Sequence, residues 1–296
     1  MDLKIRHQTT YRYPQAALVA QHIACLSPCS SASQTVLSHT LEIAPQPDTQ
    51  REFPPGPLAH QLYFAIEHPH NTLSVTAQTH VRTQAPKPLP SGVTWRSLQN
   101  AMRFAVDHPH TEANQWLFAS THVQLRAEFA AYAQATFEQH PRLLDACKVL
   151  MNRIHKEFTY ESASTHIDTP AHQALEQRKG VCQDFAHIMV ACLRTLGLPA
   201  RYVSGYLLTH PPKGQARLIG ADASHAWVQV YSPVSEAKDS PGDWFDFDPT
   251  NNHCGWGRPH ESYVTLAIGR DFADVSPIRG IIQGGGHHAL DVGVTV

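Results

Sequence analysis

The chain has 296 residues, of which 42% are hydrophobic and 16% charged, a balance that builds a packed core and excludes general disorder. Lys plus Arg number 23 against 25 Asp plus Glu, a formal net charge of -2, so the basic footprint of a nucleic-acid binder is missing. The longest apolar run, residues 188–193, is far short of the roughly 20 residues that span a bilayer, and no export signal opens the chain; a cytoplasmic protein off the membrane is expected.

Residues 1–85 read as strands. The stretch 3–13 alternates and is rich in β-branched and aromatic residues, and it is expected to stop at Pro14. Residues 40–44, 61–66 and 72–81 repeat the pattern, with the turn cluster Pro45-Gln-Pro-Asp between the first two. These spacings predict an N-terminal antiparallel β-sandwich. Residues 86–97 read as a proline-rich linker. From 98 to 296 the reading is a helical lead-in followed by an α+β core. Residues 116–118 and 125–158 carry apolar residues at helical spacings, and 160–250 mixes one buried helix with strands. The tail alternates again, with Leu290, Val292, Val294 and Val296 on one face, and is expected to pair back into the N-terminal sheet.

Six cysteines are too few for a disulfide scaffold, and no paired C-x-x-C elements or H-E-x-x-H pattern suggest zinc. Cys25 and Cys29 read as small buried hydrophobes. The tandem His287-His288 after three glycines is the one weak metal candidate. Cys182 differs from the others. Gly180 breaks the chain before it and an apolar helix follows, which places Cys182 in the first helical turn. Free backbone N–H groups and the positive dipole end there favour a thiolate and a developing oxyanion. Cys192, ten residues on, falls in the apolar run and reads as core.

A nucleophilic thiol needs a base and a group that orients it. Ser224-His-Ala-Trp-Val-Gln-Val reads as a strand with His225, Trp227 and Gln229 on one face. Trp244-Phe-Asp-Phe-Asp reads as a second strand with Asp246 and Asp248 on one face, an unusual use of aspartate. Paired as a hairpin, the strands set His225 facing Asp248 or Asp246. A carboxylate on one imidazole nitrogen would leave the other toward the thiol. The bland alternative is a structural cysteine and solvated aspartates, with Asp248-Pro249 opening a turn.

Four ordered blocks carry a resemblance. Gly180-Val-Cys-Gln-Asp-Phe-Ala-His, Leu193-Arg-Thr-Leu-Gly-Leu-Pro-Ala-Arg-Tyr, Ser224-His-Ala-Trp-Val and Phe247-Asp-Pro-Thr-Asn-Asn resemble the bacterial transglutaminase-like superfamily. The N-terminal β module and the Ser276-Pro-Ile-Arg-Gly segment extend it over nearly the whole chain. The resemblance implies a papain-like core with Cys182 as nucleophile, His225 as base and Asp248 as orienting carboxylate. It leaves Asp246 two residues outside the motif position, as a supporting group. The backbone N–H of Cys182 and the Tyr160 side chain become oxyanion candidates. Gln183 is a weaker one, and Asp184 with His187 reads as a surface or capping pair. The implied activity is thioester-forming attack on a protein or peptide amide, completed by water as a protease or by an amine as a transglutaminase. A peptide-binding module that keeps the fold without catalysis is the alternative. Neither a metal nor an organic cofactor is called for, and oligomeric state is not readable. Specificity is expected in the loops 210–215 and 232–243.

Overall fold

The computed structural model describes residues 1–54, 58–103, 111–161, 169–209, 224–237 and 240–296. One long strand organises the first sheet. In β1 (Asp2–Ser27) the early residues alternate, with Leu3, Ile5 and His7 buried and Asp2, Lys4 and Arg6 exposed. Around it stand β2 (Gln34–Ala44), β3 (Thr49–Glu52), β4 (His60–Ile66) and β5 (His70–Thr83), in the order β2-β5-β1-β4-β3. The strand does not end at Pro14. It runs through the proline, and its ladder to β5 is irregular between Arg12 and Ala17, where a residue without an N–H is tolerated. Past that break, β4 replaces β5 as the neighbour.

The other edge of β1 is covered by the end of the chain. Strand β13 (Ile278–Gly284) pairs with its second half, and β14 (Ala289–Thr295) with its first, from Tyr11 opposite Leu290 to Arg6 opposite Thr295. Both chain ends therefore share one continuous antiparallel sheet. The sheet carries a small core of its own that includes Tyr13, Ala17, Phe64, Ile66, Leu73 and Val75. The apolar face of β14 and the residue after it is only partly covered: Val294 and Val296 are buried, whereas Leu290 is exposed.

Residues 86–97, expected as a linker, are tied down. Lys87 exchanges backbone hydrogen bonds of 3.1 and 3.0 Å with Trp256, and Val93 and Trp95 are buried. Helix α1 (Trp95–Met102) starts within this stretch, with the Thr94 hydroxyl accepting from the Ser97 N–H at 3.1 Å as its cap. The pattern at 116–118 is not an α-helix but the end of a 3₁₀ turn, Glu112–Leu117, that buries Trp116 and leaves Phe118 exposed. Helices α2 (Ala127–Gln139) and α3 (Leu143–Glu157) follow as expected.

The second sheet has the order β11-β10-β9-β8-β12, from β8 (Ala200–Leu207), β9 (Ser224–Pro233), β10 (Gly242–Asp248), β11 (His253–Trp256) and β12 (Tyr263–Gly269). Helix α5 (Cys182–Thr195) lies across it and is buried along its middle turns, in one core with Ala226, Val228, Val230, Phe245 and Phe247. A two-stranded parallel pair, β6 (Thr159–Tyr160) and β7 (Lys179–Gly180), delivers the chain to the start of α5; helix α4 (Ala171–Gln177) lies between them in sequence. A last short helix, α6 (Phe272–Val275), leads from β12 into β13. No helix among the described residues is long and apolar enough to cross a membrane.

Candidate active site

Strand pairing sets the site out. On β9 and β10, Asp246 lies opposite Gln229 and Phe247 opposite Val228, so the faces alternate as expected. Ala226, Val228, Phe245 and Phe247 belong to the core under α5. His225, Trp227, Gln229, Asp246 and Asp248 point to the other face.

His225 and Asp248 meet. The imidazole Nε2 is 2.8 Å from Asp248 Oδ2, and both side chains are buried. With Nε2 so engaged, Nδ1 is the nitrogen left for Cys182, which lies near enough to help raise the histidine's pKa. Burial alone would strip the proton from His225. The Asp248 carboxylate, its hydrogen bond and the cysteine together outweigh that and raise the histidine's pKa well above its ordinary value. For Asp248 burial works in the opposite sense, and His225, Tyr263 and Asn251 together hold its pKa below the usual range. Both directions favour an imidazolium–carboxylate pair.

The two oxygens of Asp248 do different work. Oδ2 also accepts from the Tyr263 hydroxyl at 2.6 Å and the Asn251 amide at 2.9 Å. Oδ1 accepts from the backbone N–H groups of Thr250 at 2.8 Å and Asn251 at 3.3 Å, closing the turn after β10. The turn-forming role and the histidine-orienting geometry thus coexist on one side chain. Asn251 and Tyr263 were missed in the sequence. Asn251 sits inside the quoted Phe247-Asp-Pro-Thr-Asn-Asn block, but no pattern marks Tyr263, which reaches Asp248 only because β12 forms the sheet's far edge.

Asp246 does not reach His225. Its Oδ1 accepts from the Trp227 indole and the Gln229 amide, each at 2.8 Å, while among the described residues its buried Oδ2 has no partner. Burial pushes its pKa up to about 6 against those two hydrogen bonds. Trp227, so held, stacks beside His225 with ring centroids 6.4 Å apart and meets Tyr263 edge-on at 5.5 Å. Opposite His225 on β8 is Gly205, where an added Cβ would lie 2.6 Å from the Trp227 ring.

Cys182 opens α5 and is half-buried, where the first-turn N–H groups have no intrahelical acceptor. The Asp184 carboxylate reaches back to the Val181 N–H at 2.9 Å, which is the capping role. It is not a surface pair with His187. Both residues are buried, and His187 Nε2 instead accepts from the Phe272 N–H at 3.2 Å while its ring stacks on His122. Tyr160 is exposed on β6, directly opposite Gly180 and so two residues from Cys182 across the ladder. Gln183 is half-buried in the first turn. Cys192 and Cys147 are fully buried, and burial pushes the Cys192 thiol up to about 12. No disulfide joins any of the six cysteines, and among the described residues no three His, Cys, Asp or Glu side chains converge on a metal position. His288 packs instead against Tyr11, with centroids 5.4 Å apart. Loop 210–215 lies outside the described residues, as do 238 and 239 of loop 232–243.

Comparison with known proteins places these residues in a wider group. A family model described as the transglutaminase-like superfamily matches residues 130–249, which contain Cys182, His225 and Asp248. A second, the bacterial transglutaminase-like N-terminal region, matches residues 3–82. An uncharacterized protein of Mycobacterium tuberculosis is 35% identical over 298 residues, covering 99% of this chain and 91% of its own length. A protein-glutamine gamma-glutamyltransferase of Pseudomonas aeruginosa is 28% identical over 157 residues, 53% of this chain and 20% of that protein. In fold, the chain is similar to a crystal structure from Cytophaga hutchinsonii presented as a candidate cysteine protease, with a TM-score of 0.71, 23% identity, and 100% and 90% of the two chains covered.

Proposed function

The chain belongs to the transglutaminase-like superfamily, and on that premise we propose that it is a thiol acyl-transfer enzyme acting on protein or peptide amides. The observation that carries the reading is His225 bonded to a fully engaged Asp248, with Cys182 near enough to help raise its pKa. A protonated His225 beside Cys182 stabilises a thiolate, which attacks the carboxamide carbonyl. The first-turn N–H groups of α5, with Tyr160 as a side-chain candidate, receive the oxyanion. His225 passes its proton to the departing amine, leaving a thioester on Cys182, and then accepts a proton from the incoming water or amine. Asp248 keeps Nδ1 toward the sulfur throughout. Water completes an amide hydrolysis; an amine completes a transamidation.

Iodoacetamide labelling read cysteine by cysteine tests the thiol. Cys182 should label faster than the buried Cys147 and Cys192, and its excess rate should vanish in His225→Ala. Glutamine peptides are then offered with and without a fluorescent primary amine, with ammonia release and amine incorporation followed together. Loss of both signals in Cys182→Ala is the expected result. A Cys182 that labels no faster than an ordinary exposed thiol, and ignores His225, would favour the non-catalytic peptide-binding reading.

A further inference from the structure

The same sheet face that carries His225 continues, past Trp227 and Gln229, to a cavity of about 290 Å³. It lies under the β1–β2 connection, about 13 Å along β9 from His225 at the usual rise per residue. Arg201 of β8, Gln229 of β9 and Trp244 of β10 line it from that face, Trp256 of β11, the register partner of Phe245, lines it at the sheet edge, and the serine-rich residues 30–33 complete the wall. The triad uses none of these.

Arg201 is held as a ready-made receptor. Its Nε donates to Gln229 Oε1 at 2.8 Å, and Gln229 is fixed in turn by Asp246 at 2.8 Å. The guanidinium carbon lies over Trp244, 3.9 Å from the ring centre, with the Trp116 ring centre at 5.7 Å. Among the described residues its two terminal amino groups have no hydrogen-bond partner. A rigid planar fork with both outer donors unused fits a carboxylate bidentately. Lys87 also lines the cavity, its ammonium 5.1 Å from the centre of the Trp256 ring. Among the described residues of the wall the one carboxylate, Asp243, already accepts from the Trp244 N–H and the Trp256 indole, each at 2.7 Å. Asp246, behind Gln229, and Asp243 both act on Arg201, so the two cations are balanced in charge and what the cavity offers is unused donors beside indole rings.

We infer that this cavity binds a small organic carboxylate with a flat apolar body, the carboxylate on Arg201 beside Lys87 and the body against Trp244 and Trp256. The volume sits at the small end of ligand pockets and admits a one- or two-ring acid rather than a nucleotide. The site is separate from the triad and does not depend on the catalytic reading.

Calorimetric titration with benzoate, indole-3-acetate and inorganic phosphate tests it, using the full chain and the variants Cys182→Ala, Lys87→Gln and Arg201→Lys. Indole-3-acetate should bind wild type and Cys182→Ala equally, roughly tenfold more weakly to Arg201→Lys, and several-fold more weakly to Lys87→Gln. Phosphate, lacking the apolar body, should bind at least about tenfold more weakly than indole-3-acetate. Arg201 is half-buried, so thermal melting accompanies its variant; if that variant does not fold, the exposed Lys87 position carries the test. Absence of binding up to about 10 mM, affinity indifferent to Lys87→Gln, or binding lost in Cys182→Ala would each overturn the proposal. Phosphate binding as tightly as the aromatic acids would overturn the carboxylate assignment.

Discussion

Asp248 meets His225, Tyr263 and Asn251 through one oxygen and two backbone N–H groups through the other, so no acceptor position is left to water. The His225–Asp248 pair must therefore contribute to stability as well as orientation, with a definite pH dependence. The histidine's pKa is raised in the folded chain, so its contribution is complete below the ordinary 6.5 and is lost as pH rises toward the raised value. The aspartate's is depressed, so its contribution is complete above 3.8 and is lost as pH falls toward the depressed value. Both are complete between 3.8 and 6.5. Asp248→Asn should cost about 3 kcal/mol in that window, because it leaves a buried histidine unpaired, and less at pH 9. Urea melts of the two proteins at pH 5.5 and 9 measure this, and an equal loss at both would contradict the ion pair. Tyr263→Phe removes one of three donors to Oδ2 and should lower kcat about tenfold with KM nearly unchanged. A changed KM with constant kcat would place Tyr263 in substrate binding instead. Cys182 and His225 were legible from local signatures, a glycine before a helix and a histidine on a strand, whereas two aspartates on one face left Asp246 and Asp248 level and only the resemblance put the carboxylate on Asp248. Tyr263 was not legible, since nothing near it in sequence says that β12 will lie beside β8.

Among the elements, α5 depends on what happens in the residues before it. Gly180 has no side chain where an added Cβ would stand 2.6 Å from Asp184 Oδ2 and 2.8 Å from Asp184 Cβ. The glycine thus leaves the room in which Asp184 folds back to cap Val181. Loss of a helix cap costs about 1 kcal/mol. Gly180→Ala and Asp184→Ala should each destabilise the chain by at least this much, and the double variant by clearly less than the sum, because both break the same contact. Additive losses in a double-mutant cycle of denaturant melts would dissociate the glycine from the cap. The capping alternative for Asp184 was already readable from its place three residues after Val181. The burial of His187 was not, because its partner Phe272 is 85 residues away and belongs to α6. The same limit explains β1, where Pro14 read as a stop. A proline does end a straight ladder, but here the strand bends and exchanges neighbours, a tertiary event that local propensity does not encode.

At the level of the whole molecule, the N-terminal sheet is joined to the candidate site by buried polar contacts. Gln34 acts toward Thr265 of β12 like an extra strand residue, donating to its carbonyl at 2.8 Å and accepting from its N–H at 2.9 Å. Arg258, fully buried, donates to the Tyr263 carbonyl at 2.6 Å and to the Ser33 carbonyl. His7 of β1 bonds the Tyr206 hydroxyl of β8 at 3.0 Å, and Leu3, Ile5, Val81, Val294 and Val296 share one apolar core with α5 and the second sheet. The strand that presents Tyr263 to Asp248 is thus held from behind by residues more than 200 positions earlier. A detachable recognition module would not be built this way, since removing it strands buried polar groups as well as apolar surface. The chain should therefore unfold in one cooperative transition, with tryptophan fluorescence and circular dichroism coincident in urea. A version ending at residue 277 should fail to fold stably, because β1 would lose its whole second edge and the core would lose Val294 and Val296. Two separated transitions, or a soluble fragment 86–277 with native melting, would show the sheet to be an independent domain and remove it from the account of how Tyr263 is positioned.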